Sequence, residues 1–284
     1  MQRNNIFIKN KILIYFLVLS LGFSLLFFGF TKKLRAFAED EQSGTIALPI
    51  LMYHAVFPDG CKLVPYSIHI SSLQQDLDFI IEQGYTTVLT SDLIAFVENK
   101  GALPPKPIML TFDDGFYNIL HLVLPELEKR NMRVVCSVTG IFSEKEARDD
   151  DRYGYLSFED IARLQNSGRV EIANHSYNLH RLYRGQIGMK KIFSEQEEDY
   201  KKRFTQDVMK LQDKLKNFGV EPIALAYPYG FFEKTSDQYL KELGFKASFI
   251  CFEKVNRLKR GDSLFGLSRF NRDRQTAQQI LSKI

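Results

Sequence analysis

Two adjacent carboxylates and a spaced pair of imidazoles are the residues of this chain best suited to chemistry. Asp113 and Asp114 lie in Thr111-Phe112-Asp113-Asp114-Gly115, directly after an apolar run, and the histidines bracket His175-Ser176-Tyr177-Asn178-Leu179-His180. Adjacent side chains of a strand point to opposite faces, but Gly115 permits a sharp turn that aims both carboxylates into one pocket. Of two such carboxylates, one can bind a divalent cation and stay ionised while the other accepts a proton from water. Taken alone, Asp-Asp-Gly is more simply a cap for the helix expected from about Tyr117. A separation of five positions on a straight helix would set the two imidazoles about 140° apart, so they converge only if a strand end is followed by a turn. Imidazole with carboxylate then suits Zn²⁺ or a similar first-row ion. Any histidine pair alone has the plainer reading of surface or core side chains. The chain has only five histidines, however, and His54, His175 and His180 all fall at or near expected strand ends. His69, in an irregular stretch, and His121, on a helix, are given no role.

The elements that must position these groups alternate. Short β-rich runs are expected at 46–53, 86–89, 108–112, 133–138, 170–173, 223–227 and 247–251, with helical stretches at 72–83, 91–99, 119–130, 157–167, 194–218 and 235–243. This alternation implies an α/β fold with an internal parallel sheet, and seven strands suffice for a small barrel. Ser157-Phe158-Glu159-Asp160 carries a capping-box pattern ahead of an apolar stripe. Catalytic groups of such barrels come from the carboxyl ends of the strands. His54 follows the first expected strand, Asp113 and Asp114 the third, His175 the fifth, and Tyr227-Pro228-Tyr229-Gly230 the sixth. The last is an ordinary turn or a constrained loop presenting a backbone N–H to the pocket.

With 284 residues and 45% hydrophobic content, one core and one catalytic domain are expected, at 48–284. The net charge of +4 is concentrated at the amino terminus. The first 38 residues hold six basic and no acidic residues, which leaves 32 basic against 34 acidic in the body. No basic face or nucleic-acid module is recognisable, so a nucleic-acid partner is not expected. Cys61, Cys136 and Cys251 form no CxxC pair and indicate neither a thiolate zinc site nor a disulfide framework. Residues 12–30 are apolar without a charge and follow Arg3, Lys9 and Lys11, so 1–38 reads as a membrane anchor or a signal peptide cleaved near Ala38. Residues 39–47 read as a linker. Either outcome places the body outside the cytoplasmic membrane, anchored or secreted. A monomer is expected.

With these residues in view, the sequence resembles the polysaccharide deacetylases of carbohydrate esterase family 4 over about 48–270. The aspartate segment matches the family's first motif and the histidine segment its HSxxxH motif. The resemblance implies a distorted (β/α)₇ barrel in which Asp114, His175 and His180 hold a divalent metal, Zn²⁺ with Co²⁺ or Ni²⁺ as alternatives, and Asp113 is the base. It further implies that the Tyr229 backbone N–H meets the oxyanion. The family's late Leu-x-His motif is missing, since no histidine follows His180. Met52-Tyr53-His54, Ala226-Tyr227-Pro228-Tyr229-Gly230 and Leu267-Ser268-Arg269-Phe270 resemble instead the biofilm poly-N-acetylglucosamine deacetylase subgroup, whose motif order is permuted. His54 then takes the acid role. The third-motif arginine is not found in Tyr-Pro-Tyr-Gly, and Arg269 is a candidate to orient Asp113.

The expected activity is removal of N-acetyl groups from a cell-surface amino-sugar polymer, either poly-N-acetylglucosamine or peptidoglycan. The alternative is a barrel that binds carbohydrate without turnover. A glycosidase would need its two carboxyls about 5–10 Å apart across the scissile bond, which adjacent residues at one strand end fit poorly. Polymer specificity is expected in loops such as 58–67 and 144–155.

Overall fold

The apolar runs pair side by side in parallel and bend almost into a closed ring. The structure, a computed structural model, describes residues 44–183 and 185–284. The expected membrane segment, 1–38, lies outside these residues, as does most of the expected linker. Among the described residues no helix is long and apolar enough to cross a membrane.

The sheet is built from β1 (Ile50–Tyr53), β2 (Thr86–Thr87), β3 (Pro107–Phe112), β4 (Val134–Val138), β5 (Val170–Asn174), β6 (Ala224–Ala226), β7 (Ala247–Ile250), β8 (Leu264–Ser268) and β9 (Phe270–Asn271). Its eight-strand path runs β8-β7-β6-β5-β4-β3-β1-β9, every neighbour parallel, with β2 beside the start of β3. All residues of β3 and β4 are buried, as continuous apolar runs in a parallel sheet must be when both faces are covered.

The two ends of this path are consecutive in sequence. β8 pairs with β7, β9 pairs with β1, and only Arg269 separates them. Counted as one interrupted wall they give a nearly closed barrel of seven walls. The seventh wall is not the one the sequence suggested. The expected strand at 86–89 is reduced to β2, which pairs only with the first residues of β3, and the segment from Leu264 to Asn271 closes the ring instead. Gly266 and Ser268 weaken its β-pattern, which hid it. The expected strand at 46–53 is also divided, into Ile46–Leu48 and β1, because Pro49 between them has no N–H to give to a ladder.

Helices lie between the strands. The helix α1 (Phe158–Asn166) begins with the expected capping box: Ser157 Oγ accepts the Asp160 N–H at 3.1 Å, and the Asp160 carboxylate accepts the Ser157 N–H at 3.2 Å. The long charged helix α2 (Glu197–Lys216) buries Tyr200, Phe204, Val208, Leu211 and Leu215 along one side. Each such burial contributes about 1.5–3 kcal/mol. The expected helix at 119–130 opens instead with a wide π-turn, Ile119–Val123, before regular helix at Leu124–Arg130.

Candidate active site

The carboxyl ends of β1, β3, β5 and β6 bring together His54, Asp113, Asp114, His175 and the turn containing Tyr229. Asp113 continues the β3 ladder by donating its N–H to the Tyr53 carbonyl at 2.9 Å. Asp114 then turns sharply at φ 76°, followed by Gly115 at φ 79°. The sequence pattern assigned this turn to Gly115, but Asp114 itself adopts the left-handed conformation, which costs a non-glycine residue on the order of 1–3 kcal/mol. Ser176 at φ 69° and Tyr229 at φ 59° share this strain, so three of the positive-φ side chains border one site.

Asp113 is buried against Arg269. Arg269 Nη1 and Nη2 donate to the two carboxylate oxygens at 2.8 and 2.7 Å, and Nη1 also reaches Thr111 Oγ1 at 3.1 Å. The guanidinium, carried by the residue between β8 and β9, has no solvent exposure at all. Burial alone would raise the Asp113 carboxyl, but Arg269 and His175 outweigh it and hold the group below the usual carboxylate range. The candidate clamp named from the sequence is therefore in place.

Asp114 has different company. Its Oδ1 faces His180 Nε2 at 3.1 Å and His175 Nε2 at 3.5 Å, yet this buried oxygen accepts no hydrogen bond. His175 Nδ1 donates to the Ala226 carbonyl at 2.8 Å. Because a carbonyl only accepts, this bond fixes the tautomer and leaves the Nε2 lone pair toward Asp114. His180 Nδ1 pairs with the Tyr229 hydroxyl at 3.1 Å. The three ligand atoms lie within 4.8 Å of one another. An orphaned carboxylate oxygen and two imidazole nitrogens turned toward it fit a divalent cation of the zinc type. Burial would raise Asp114, but the adjacent imidazoles hold it well below the usual range, whereas Asp113 and Asp114 push His175 up against the opposing effect of burial.

The loop carrying both histidines is fastened from behind. Asn174 Oδ1 accepts the Ser176 N–H at 2.8 Å, and the two oxygens of Asp207 on α2 accept the N–H groups of Tyr177 and Asn178 at 2.8 and 2.9 Å. Burial pushes the Asp207 carboxyl up to about 6. Sequence reasoning missed Asp207. Its one signal was position, since it falls on the apolar side of α2 with Tyr200, Phe204 and Leu211. Also missed was Phe142, whose ring meets His180 edge-on at 5.6 Å.

His54 stands at the end of β1 with its imidazole pKa lowered, chiefly by burial. Tyr229 is present through its phenol as well as its turn. His69 Nε2 donates to the Cys61 carbonyl at 2.8 Å, and His121 Nδ1 meets the Asp151 carboxylate at the surface.

A nearly closed parallel barrel with an Asp-Asp turn and a His-x₄-His loop at its carboxyl rim defines a class. Residues 100–248 match the family model described as polysaccharide deacetylase, and the chain belongs to that family. The matched segment holds Asp113, Asp114, His175, His180 and Tyr229, while His54 precedes it and Arg269 follows it. More particularly, the chain is 23% identical over 256 residues to the poly-β-1,6-N-acetyl-D-glucosamine N-deacetylase of Escherichia coli K12, covering 82% of this chain and 38% of that protein. It is 24% identical over 201 residues to the Staphylococcus aureus N315 protein of the same name, covering 70% of this chain and 66% of that one. The chain thus spans well under half of the first relative. Among solved structures, IcaB from Ammonifex degensii is similar with a TM-score of 0.69 at 27% identity, covering 83% of this chain and 96% of that one. A de-N-acetylase from Aggregatibacter actinomycetemcomitans shares the fold with a TM-score of 0.69 at 22% identity, covering 79% and 94%.

Proposed function

We propose that the chain is a metal-dependent N-deacetylase of an amino-sugar polymer, with poly-N-acetylglucosamine the favoured substrate and peptidoglycan glycan the alternative. The observation that carries this reading is the side-by-side pair of aspartates. Asp113 is ionised by a guanidinium of the chain itself, while Asp114 is left facing two imidazole nitrogens. The names of the similar deacetylases support the choice of polymer.

In this reading Asp114, His175 and His180 hold the cation, Zn²⁺ in the first instance. When bound, it supplies Lewis acidity to the acetamide carbonyl and lowers the pKa of water. Asp113 takes the proton of the attacking water. Arg269 keeps its carboxylate ionised and aimed, so that the base is ready at neutral pH. The Tyr229 backbone N–H faces the charge that develops on the carbonyl oxygen. His54 gives a proton to the departing amine, and the burial that lowers its pKa makes the imidazolium a stronger acid. The apolar run at 12–30 supports placement outside the cytoplasmic membrane, anchored or released.

The test is acetate release from N-acetylglucosamine oligomers, peptidoglycan, chitin oligomers and acetylated xylan by the purified chain with Zn²⁺ or Co²⁺. Release from the β-1,6-linked oligomers is expected. Absence of acetate from every polymer with a folded, metal-supplied protein overturns the reading. Sugar binding without turnover would favour the binding-only alternative.

A further inference from the structure

Among the described residues no hydrogen bond fixes the His54 ring; its ring contact is with Tyr66, at a centroid distance of 5.0 Å and an interplanar angle of 46°. Tyr66 belongs to the loop after Phe57 and sits at φ 62°, a conformation that a bulky aromatic residue keeps only where its surroundings enforce it. Here they do so from two directions. The Tyr66 carbonyl accepts the Ala55 N–H at 3.2 Å, and the Tyr66 N–H donates to Asp273 Oδ1 at 3.3 Å. The next residue, buried Ser67, exchanges hydrogen bonds with Val64, accepting its N–H at 2.8 Å and donating to its carbonyl at 2.7 Å. His54, Tyr66, Arg272 and Asp273 together wall a small recess beside β1. Tyr66 nevertheless leaves half its surface open, at 51% exposure.

An exposed aromatic side chain held in a strained backbone, one residue before a buried anchor and against an unbonded imidazole, is placed for work at the rim. We propose that Tyr66 is the positioning residue of His54. Its ring packs the imidazole into the orientation from which a proton reaches the leaving nitrogen, and its open surface stacks on the pyranose that bears that nitrogen. A rigid aromatic ring suits both tasks, since it offers a large apolar area with only two side-chain torsions to fix. The inference rests on the deacetylase reading, and on His54 as its acid.

Leaving-group chemistry separates this role from a structural one. The amine of an amide departs only with a proton, whereas 4-nitrophenolate leaves an ester without one. Wild type, Tyr66→Ala and Tyr66→Phe are compared on an N-acetylglucosamine oligomer and on 4-nitrophenyl acetate, at equal Zn²⁺ loading. Tyr66→Ala is expected to lower kcat on the oligomer about 10- to 100-fold, the range set by a misplaced proton donor, and to raise KM. Its ester hydrolysis stays near wild type, and Tyr66→Phe, which keeps the ring, restores the oligomer reaction. Unchanged oligomer turnover by Tyr66→Ala, a parallel loss on both substrates, or failure of Tyr66→Phe to restore activity overturns the assignment of Tyr66 alone. Silence of the wild type on the oligomer overturns the deacetylase reading and this one with it.

Discussion

Asp113 and Asp114 are neighbours in sequence and both turn into the barrel, yet their surroundings solve the problem of a buried negative charge in opposite ways. On the Asp113 side the chain provides the cation itself, a fully buried guanidinium making two hydrogen bonds to the carboxylate. On the Asp114 side it provides imidazole nitrogens, and the buried Oδ1 accepts no hydrogen bond. A carboxylate matched within the chain is ionised at neutral pH and available as a base, whereas one left with neutral donors is made for a cation from outside. The difference between the two regions is therefore a difference between self-sufficiency and ligand dependence.

The sharpest way to break this comparison is to neutralise each carboxylate separately. Asp113→Asn should lower kcat for acetate release by about 10²- to 10⁴-fold, the usual worth of a positioned base, while Zn²⁺ uptake measured by calorimetry persists. Asp114→Asn should abolish uptake as well. Loss of Zn²⁺ uptake in Asp113→Asn would erase the division between them. Next in size is Arg269→Met, which strands the Asp113 charge and should destabilise the fold by about 3–5 kcal/mol in urea unfolding. A wild-type midpoint in that variant would show that the clamp is dispensable. Zn²⁺ at a hundred times its dissociation constant should stabilise the wild type by about 2.7 kcal/mol in thermal melts. This gain should vanish with chelator or in His180→Ala and survive in Asp113→Asn.

The smallest effect concerns the carboxylate behind the loop. Asp207 has a raised pKa in the fold, about 6 against an ordinary value near 4, so the folded chain holds the extra proton between these pH values. Its contribution to stability is present at low pH and is lost as pH rises from about 4 to about 6, by on the order of 2 kcal/mol after allowance for its partial exposure. Asp113 and Asp114, with depressed values, act in the opposite sense and lose stability as pH falls below the ordinary carboxylate range. Urea midpoints of wild type and Asp207→Asn at pH 4.5 and 7 isolate the Asp207 contribution, and an equal pH dependence in both proteins would contradict it. Asn also offers only one acceptor to the two N–H groups of Tyr177 and Asn178, so acetate release should fall.

What was legible in the sequence was whatever a short segment encodes by itself. The Asp-Asp-Gly turn, the His175–His180 spacing, the Ser157 capping box and the largely apolar strands each state their geometry within about six residues. Groups that act across the barrel were harder to see. Arg269 was a candidate only through resemblance, because its pairing with Asp113 joins residues 156 positions apart. Asp207 reaches the loop from a helix that reads as a solvated charged surface, and Tyr66 meets His54 only after the loop folds back. The closing strand was missed because pairing with both of its neighbours, rather than its own β-propensity, makes it a strand.

That closing segment also sets when the site can exist. β8 and β9 follow the other walls in sequence, and the residue between them aligns Asp113. During synthesis the first six walls can form while Asp113 still lacks its partner and the edges of β1 and β7 remain open. A chain released before Arg269 would expose two unpaired strand edges and bury an unmatched carboxylate, inviting aggregation. Completion of the barrel and readiness of the base are thus a single folding event, and a chain that stops before Arg269 should lose both at once.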